Sequence, residues 1–406
     1  MANRTQRRAL IVGGSMSGLL AGLTLRARGW QVDIVERVEN ELAGRGAGIV
    51  AQPTLIETLG ALGLDTRDLG VEVRIRQNLD AAGRVAARID CPQILTAWER
   101  VFRVLRDGFP AEHYRRGVGL KSFTQSERAV VAQLSDGTSA EVDLLVGADG
   151  LRSTVRQACL PDVAPLYAGY VAWRSLIAED AFPSAVHREL FDCMTFSLPP
   201  GEQFLGYPVA GPDNDLRPGH RRYNVIWYRP ADEAGELQRL LTDESGVTHA
   251  ISIPPPLIRR AAIADMRAAA ERLLGPQLRA IVRLMTEPIL QPIYDIESPR
   301  VVFGRVAIIG DAAFVARPHV AAGVSKAADD ALVLAEELDA IDDVGEALRR
   351  FEARRLPVNR RIIERARHLG AYLQATQTAE ERARSEQHGI PDAVLAETAV
   401  LDFLDA

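Results

Sequence analysis

Three stretches, far apart in the chain, place glycines just after short apolar runs, two of them together with an aspartate. Gly13-Gly14-Ser15-Met16-Ser17-Gly18 follows Ala9 to Val12. Gly147-Ala148-Asp149-Gly150 follows an apolar strand ending at Val146, and Gly310-Asp311 follows Val306 to Ile309. Beyond the last pair, Pro318, His319 and Gly323 form a tight segment, and from Val324 apolar residues recur at helical spacing (Ala327, Ala331, Leu334, Leu338). Glycine lets a ligand approach the backbone closely, and a helix N-terminus offers free N–H groups with a partial positive charge. An ionised carboxylate only accepts hydrogen bonds, which suits ribose or ribityl hydroxyls. Together such residues can pin an extended, phosphate-bearing cofactor. Each alone is also compatible with an ordinary loop of a parallel sheet.

The elements that must position these residues are clearest at the N-terminus. Ala9 to Val12 reads as a strand, Leu19 to Arg28 as a helix ended by Gly29, and Val32 to Val35 as a second strand closing at Glu36. This is the βαβ dinucleotide fingerprint in its proper context, with Glu36 placed to bind both hydroxyls of an adenosine ribose. Its middle position is Ser15 rather than glycine. A side chain there narrows the approach of a pyrophosphate, while its hydroxyl offers a hydrogen bond. Gly44-Arg45-Gly46-Ala47-Gly48-Ile49 is a second glycine-rich loop, read either as backbone lying against something flat or as a plain mobile loop; a helix, Thr54 to Leu62, follows.

Val71 to Ile89 alternates around Ala82-Gly83 as a hairpin, and Trp98 to Leu105 reads as an amphipathic helix. A second hairpin, Ala129 to Leu145, turns at Asp136-Gly137, and its last strand is expected to run straight into the Asp149 loop. A helix opens at Ser153 to Ala158, with Arg152 and Arg156 nearby. Tyr167 to Ile177, Phe191 to Val209 and Arg222 to Tyr228 are rich in aromatic and β-branched residues and read as a mainly antiparallel sheet. Its aromatics, Tyr170, Trp173, Phe196, Phe204, Tyr207, Trp227 and Tyr228, either line a pocket or fill the sheet core. Ala231 to Leu241 and Pro256 to Met285 read as helices, and Ile289 to Ile296 as a connecting strand. After Leu338 the chain reads as helical to its end, with no catalytic constellation.

Bulk properties exclude several classes. The net charge is −6 and no block of like charge occurs, which argues against nucleic acid and anionic membranes as partners. Cys91, Cys159 and Cys193 are odd in number and scattered, which argues against a disulfide framework or zinc site and fits a reducing, cytoplasmic compartment. The first strand begins near Arg8, leaving no room for a signal peptide, and no apolar run approaches the ~20 residues that span a bilayer.

The three cofactor-type loops, in this order and spacing, resemble the single-component flavoprotein aromatic hydroxylases of the para-hydroxybenzoate hydroxylase class, across nearly the whole chain. Within that class GGSMSGL at Gly13, GAGIVAQP at Gly46, YAGYVAWR at Tyr167 and GDAAFVARPHVAAGVSKAADD at Gly310 are similar to the dihydroxypyridine-hydroxylating subgroup. Phe314 stands where many members have His, Ser325 where many have Asn, and Trp98 where an Arg is common. The resemblance implies an α/β fold: a Rossmann-like FAD-binding domain from residues 1–72, 96–165 and 296–406, and a mainly antiparallel substrate domain from 166–295 with a hairpin at 73–95. It implies FAD held by Gly13, Gly14, Ser15, Met16, Ser17 and Gly18; by Glu36, Arg37, Gly48, Ile49, Leu120 and Asp149; by Gly310 and Asp311; and by Pro318, Ala321, Ala322, Gly323 and Val324. A homodimer is the assembly it implies.

The implied reaction uses NAD(P)H to reduce FAD, which captures O2 as a C4a-hydroperoxide and passes one oxygen to an electron-rich aromatic ring. The implied substrate is a hydroxylated N-heteroaromatic ring such as 2,6-dihydroxypyridine. A phenolic or purine ring (salicylate-like or urate-like), a non-oxygenating flavin oxidoreductase and a non-catalytic flavin-binding protein remain open. Oxygen transfer is faster on a deprotonated ring, so a base would help. His319, on the loop expected beside the flavin, is the catalytic residue expected to be that base, and Tyr207 is expected to orient the substrate.

Overall fold

The computed structural model describes residues 7–40 and 48–404. Strand Arg8–Val12 carries four consecutive buried apolar residues, the pattern of a strand covered on both faces. It lies inside a six-stranded sheet, with Gln31–Glu36 and Leu144–Gly147 as parallel neighbours. Tyr114–Arg116 and Val306–Ile308 extend the sheet in parallel on either side, and Val302–Phe303 closes one edge antiparallel. Strands from both ends of the chain therefore share one core. Helices Met16–Ala27 and Gly323–Ala340 pack together, with the Thr24 hydroxyl donating to the Ala331 carbonyl at 3.3 Å.

A second sheet has nine strands. From edge to edge they are Phe314–Val315, Ile289–Glu297, Leu166–Ala178, Arg222–Pro230, Gln203–Val209, Cys193–Ser197, Val71–Leu79, Val85–Ala97 and Gly48–Val50. Every neighbouring pair is antiparallel except Cys193–Ser197 with Val71–Leu79. Register divides the aromatics between the two faces. Trp173, Trp227 and Phe204 stand directly opposite one another, so their side chains share one face. That face joins the core formed with helices Arg260–Leu273 and Pro276–Leu284. Ala172, Tyr228 and Gln203 form the next row and point to the opposite face.

Several sequence expectations shift. The strand expected to run unbroken into the Asp149 loop splits at Asp143. Ser139–Val142 stays in a small three-stranded sheet with Leu120–Gln125 and Val130–Leu134, while Leu144–Gly147 crosses to the six-stranded sheet. The reason is local: Asp143 accepts the Arg8 N–H on its carboxylate at 2.8 Å and donates its own N–H to the Arg8 carbonyl at 2.9 Å. The first hairpin runs on to Ala97, with register shifts along it. The helix expected from Ala231 starts only at Glu236, because the Asp232 carboxylate ties the Gly235 and Glu236 N–H groups into a turn. The helix expected over Pro256 to Met285 breaks before Pro276, which opens a new helix as its first residue. Among the described residues no helix is long and apolar enough to cross a membrane, and no His, Cys, Asp and Glu cluster is arranged to hold a metal ion.

Candidate active site

The three glycine loops meet. Gly13 has φ +109°, and a Cβ there would lie 2.3 Å from the Ala148 carbonyl oxygen. A Cβ on Gly18 would lie 1.9 Å from the Gly13 oxygen. Gly310 has φ +56° and abuts Ser17, whose Oγ would be 2.1 Å from an added Cβ. Buried Arg156 joins the second loop to the third, donating from Nη1 to the Ala312 carbonyl (2.9 Å) and from Nη2 to the Leu151 carbonyl (2.6 Å). Glycine is required at 13 and 18 for backbone-to-backbone packing and at 310 for a positive φ against the Ser17 side chain, whatever else the loops hold.

The donors left over fit a diphosphate cofactor. Ser15 precedes helix Met16–Ala27 without a side-chain cap, and the first turn carries no acid. Its N–H groups, flanked by half-exposed Ser15 and Ser17, form an anion site. Glu36 is buried at the neighbouring strand end, where its two oxygens accept from the Gly14 and Val38 N–H groups at 2.9 Å each. Each oxygen keeps a lone pair for a hydroxyl. Arg37 is exposed beside it, its Cβ 3.3 Å from where a Cβ on Gly119 would stand, next to buried Leu120. Asp149 is more committed: the Ser153 hydroxyl and the Thr154 N–H both donate to it, and burial raises its pKa. It tethers the start of helix Thr154–Cys159. This donor set is chemically suited to FAD: free N–H groups at a helix start for phosphates, and carboxylates with spare lone pairs for hydroxyls.

Beyond these loops lies a cavity of about 290 Å³. One wall is the segment carrying Asp311, Pro318, Ala321, Ala322, Gly323 and Val324; the other is the sheet face with Arg174, Leu205, Tyr207, Ile226 and Tyr228. Asp311 opens onto the cavity yet is ringed by protein, which raises its pKa while Lys326 opposes the rise. Ala321 takes φ +49°, a left-handed turn unusual for alanine. Gly48 and Ile49 border the same space. The flat object against Gly48 is the Tyr207 ring, 2.6 Å from where a Cβ would stand. Gly44 to Ala47 lie outside the described residues. A larger open groove along 102–111, about 820 Å³, contains none of these residues.

His319 differs from expectation. Its Nε2 is hydrogen-bonded to the Tyr170 hydroxyl at 2.8 Å, and its ring packs edge-on to Tyr228 with centroids 4.9 Å apart. Burial and the nearby Arg317 charge push its pKa down to about 3. The imidazole is therefore neutral and only weakly basic at neutral pH, a poor match for a general base. Tyr207 lines the cavity, its phenol pushed up to about 12 by burial against the opposing charge of Arg174.

Sequence reasoning missed three contributors. Thr398 and Ala399 line the cavity from the C-terminal stretch that showed no constellation. Buried Arg76 holds them, donating to the Leu395 and Thr398 carbonyls at 2.7 and 2.6 Å. Gln52 and Gln93 donate to the Ala399 carbonyl, and the Ala399 N–H donates to the His319 carbonyl at 2.7 Å. Lys326 is fully buried, 3.9 Å from Asp330, which also accepts from Arg355 Nε (2.8 Å), Asn359 (3.1 Å) and the Gly310 N–H (3.1 Å). That network fixes the turn before Asp311. Arg174 is the third, half-buried on the cavity face of strand Leu166–Ala178, opposite the buried Trp173, Ser175 and Ile177.

A family model described as FAD binding domain-like matches residues 167–295, within the aromatic sheet section rather than the glycine loops. The chain is 33% identical over 371 residues to 2,6-dihydroxypyridine 3-monooxygenase of Paenarthrobacter nicotinovorans, covering 91% of this chain and 92% of that protein. It is 30% identical to 3-amino-4-hydroxybenzoate 2-monooxygenase of Streptomyces cremeus over 89% of this chain and 86% of that one. The solved 2,6-dihydroxypyridine-3-hydroxylase from Arthrobacter nicotinovorans superposes with a TM-score of 0.86 at 32% identity, over 92% of this chain and 94% of that one. With its converging glycine loops and the aromatic cavity beside them, the chain belongs to the FAD-dependent aromatic monooxygenases of the para-hydroxybenzoate hydroxylase class.

Proposed function

We propose that the enzyme hydroxylates an electron-rich, hydroxylated N-heteroaromatic ring of the 2,6-dihydroxypyridine type, with NAD(P)H as electron donor and O2 as co-substrate. The observation that carries this reading is the cavity itself. The third glycine loop and the aromatic sheet face are its opposite walls, in a chain similar over nine-tenths of its length to a dihydroxypyridine monooxygenase. The cofactor part is drawn from residues 1–72, 96–165 and 296–406, and the substrate part from 166–295 with the hairpin at 73–95.

When bound, FAD supplies the redox chemistry, taking electrons from NAD(P)H and activating O2 for transfer to the ring. The chain binds and orients. The N–H groups of Ser15, Met16 and Ser17 hold the phosphates, with Gly13, Gly14 and Gly18 shaping the turn, the first two by donating to the Val35 carbonyl and the Glu36 carboxylate. Glu36 and Arg37 hold the adenosine end, backed by Leu120, while Asp149 fixes the second loop against the first. Gly310 and Asp311 hold the ribityl chain. Pro318, Ala321, Ala322, Gly323 and Val324 flank the flavin ring, with Gly48 and Ile49 at its rim. Tyr207 orients the substrate by donating from a phenol that stays protonated at neutral pH. His319 acts as a positioning residue: neutral, bonded to Tyr170, and tied by its carbonyl to Ala399, it joins the flavin loop to the C-terminal roof. The apolar walls exclude water from the reacting atoms.

Stopped-flow flavin absorbance with NADH and NADPH, each with and without 2,6-dihydroxypyridine, salicylate and urate, tests this. The expected result is fast bleaching triggered by the dihydroxypyridine, with one atom of labelled O2 in the product. Bleaching that no ring accelerates would refute the proposal. Acceleration by salicylate or urate alone would move the substrate to a phenolic or purine ring.

A further inference from the structure

Arg174 enters the cavity from the middle of strand Leu166–Ala178. Its cross-strand partners are Ile226 and Ile289, and its neighbours along the same face are Ala172 and Leu176. The guanidinium therefore rises from a sheet face that is otherwise uncharged, made of Leu205, Tyr207, Ile226 and Tyr228 with the neutral amides of Gln203 and Gln291. The other charged groups lining the cavity are accounted for. Arg317 pairs with buried Asp295 at 3.1 Å, and Asp311 belongs to the loop wall beside Lys326. Among the described residues Arg174 has no carboxylate partner; Nη1 donates to the neutral Gln291 amide, and Nε is buried with no hydrogen-bond partner. A guanidinium so placed loses hydration as an aromatic ligand enters, and only an anion on that ligand compensates the loss.

Resting on the hydroxylase reading above, we infer that Arg174 is the specificity determinant of the cavity and selects the ring in its anionic form. This also answers where the substrate's proton goes. On the loop wall His319 is neutral and weakly basic and Asp311 is taken up by the ribityl chain, and on the sheet wall burial keeps Tyr207 and Tyr228 protonated, so the cavity offers the ring no competent base. The ring arrives already ionised, its proton left in bulk water, and Arg174 holds the negative charge that makes the ring electron-rich. The substrate class narrows to hydroxylated heteroaromatics acidic enough to be anions near neutral pH.

The test uses the FAD-loaded enzyme and a probe pair independent of the true substrate: benzoate and its neutral isostere benzamide. Binding is followed by isothermal titration calorimetry and by perturbation of the flavin spectrum. The wild type is expected to prefer benzoate by about tenfold to hundredfold. Arg174→Gln is expected to bring that ratio close to one with FAD content unchanged. Arg174→Lys keeps the charge but loses the planar fork, so the preference persists at a few-fold. Equal binding of the two probes by the wild type, binding of neither, or a preference that survives Arg174→Gln overturns the inference. If Arg174→Gln does not fold, the wild-type ratio and its fall in Arg174→Lys decide. A benzoate preference in an enzyme that leaves 2,6-dihydroxypyridine untouched sinks the substrate assignment but leaves Arg174 in its role.

Discussion

The two walls of the cavity are built on different principles. The loop wall is made of backbone. Gly13, Gly18 and Gly310 are there because the chain passes within contact distance of itself, and the ligands it offers are N–H groups and carboxylates at strand ends. The sheet wall is made of side chains. Arg174, Leu205, Tyr207, Ile226 and Tyr228 come from three strands and meet only because the register places them on one face. A backbone wall tolerates no added atom at its crossing points. A side-chain wall tolerates exchange of volume and is sensitive instead to charge and hydrogen bonding. The first construction suits a cofactor common to a whole class, and the second suits a substrate that changes within it.

Breaking the loop wall should have the largest effect. Gly18→Ala drives a methyl group against the Gly13 carbonyl and is expected to cost at least about 3 kcal/mol, with FAD lost on desalting. Urea denaturation and the flavin content of the purified protein measure both. A variant that retains wild-type flavin would show that the crossing is not as tight as the geometry says. Next is the ion network beneath the same wall. Arg355→Met leaves the buried Asp330 carboxylate without its nearest cation and should destabilise by about 3 kcal/mol. Flavin affinity should fall with it, because Asp330 holds the Gly310 N–H. Unchanged flavin affinity would separate that network from the cofactor wall.

The opposite wall is probed more gently. Burial holds the folded pKa of His319 near 3, below its ordinary 6.5. The unfolded chain therefore takes up the proton first as pH falls. The stability this neutral imidazole contributes is complete above about pH 6.5 and is lost progressively toward pH 3. Between pH 6 and 4 the wild type should lose up to about 1.4 kcal/mol per pH unit more than His319→Gln does. Parallel pH–stability curves for the two proteins would contradict a buried neutral histidine. Over pH 6 to 9, kcat of His319→Gln should follow the wild-type profile; a low-pH limb that vanishes in the variant would restore the base role. The smallest effect belongs to Tyr170→Phe, which leaves His319 Nε2 without its partner. It should cost about 1 to 2 kcal/mol and weaken ring binding a few-fold with flavin retention intact. Flavin loss in this variant would mean that the two walls are coupled through the His319 loop.

The sequence alone determined the parts of this protein whose requirements are local. A strand followed at once by a glycine turn and a helix can be recognised from a dozen residues, because the turn's backbone needs and the helix periodicity are written within it. The loops at Gly13, Asp149 and Gly310 were legible for that reason, as were the parallel character of the strands before them and the antiparallel, aromatic middle. What the tertiary structure decided depends on residues that are distant along the chain. Alternation could not say which aromatics face the cavity until register set Trp173, Trp227 and Phe204 on one side and Tyr228 on the other. The C-terminal roof at Thr398 and Ala399 rests on Arg76, 322 positions before Thr398, and nothing local announces it. His319 has the residue type of a neutral-pH base; burial beside Arg317 lowers its pKa and Tyr170 engages its Nε2, because desolvation is a property of the surroundings and not of the side chain.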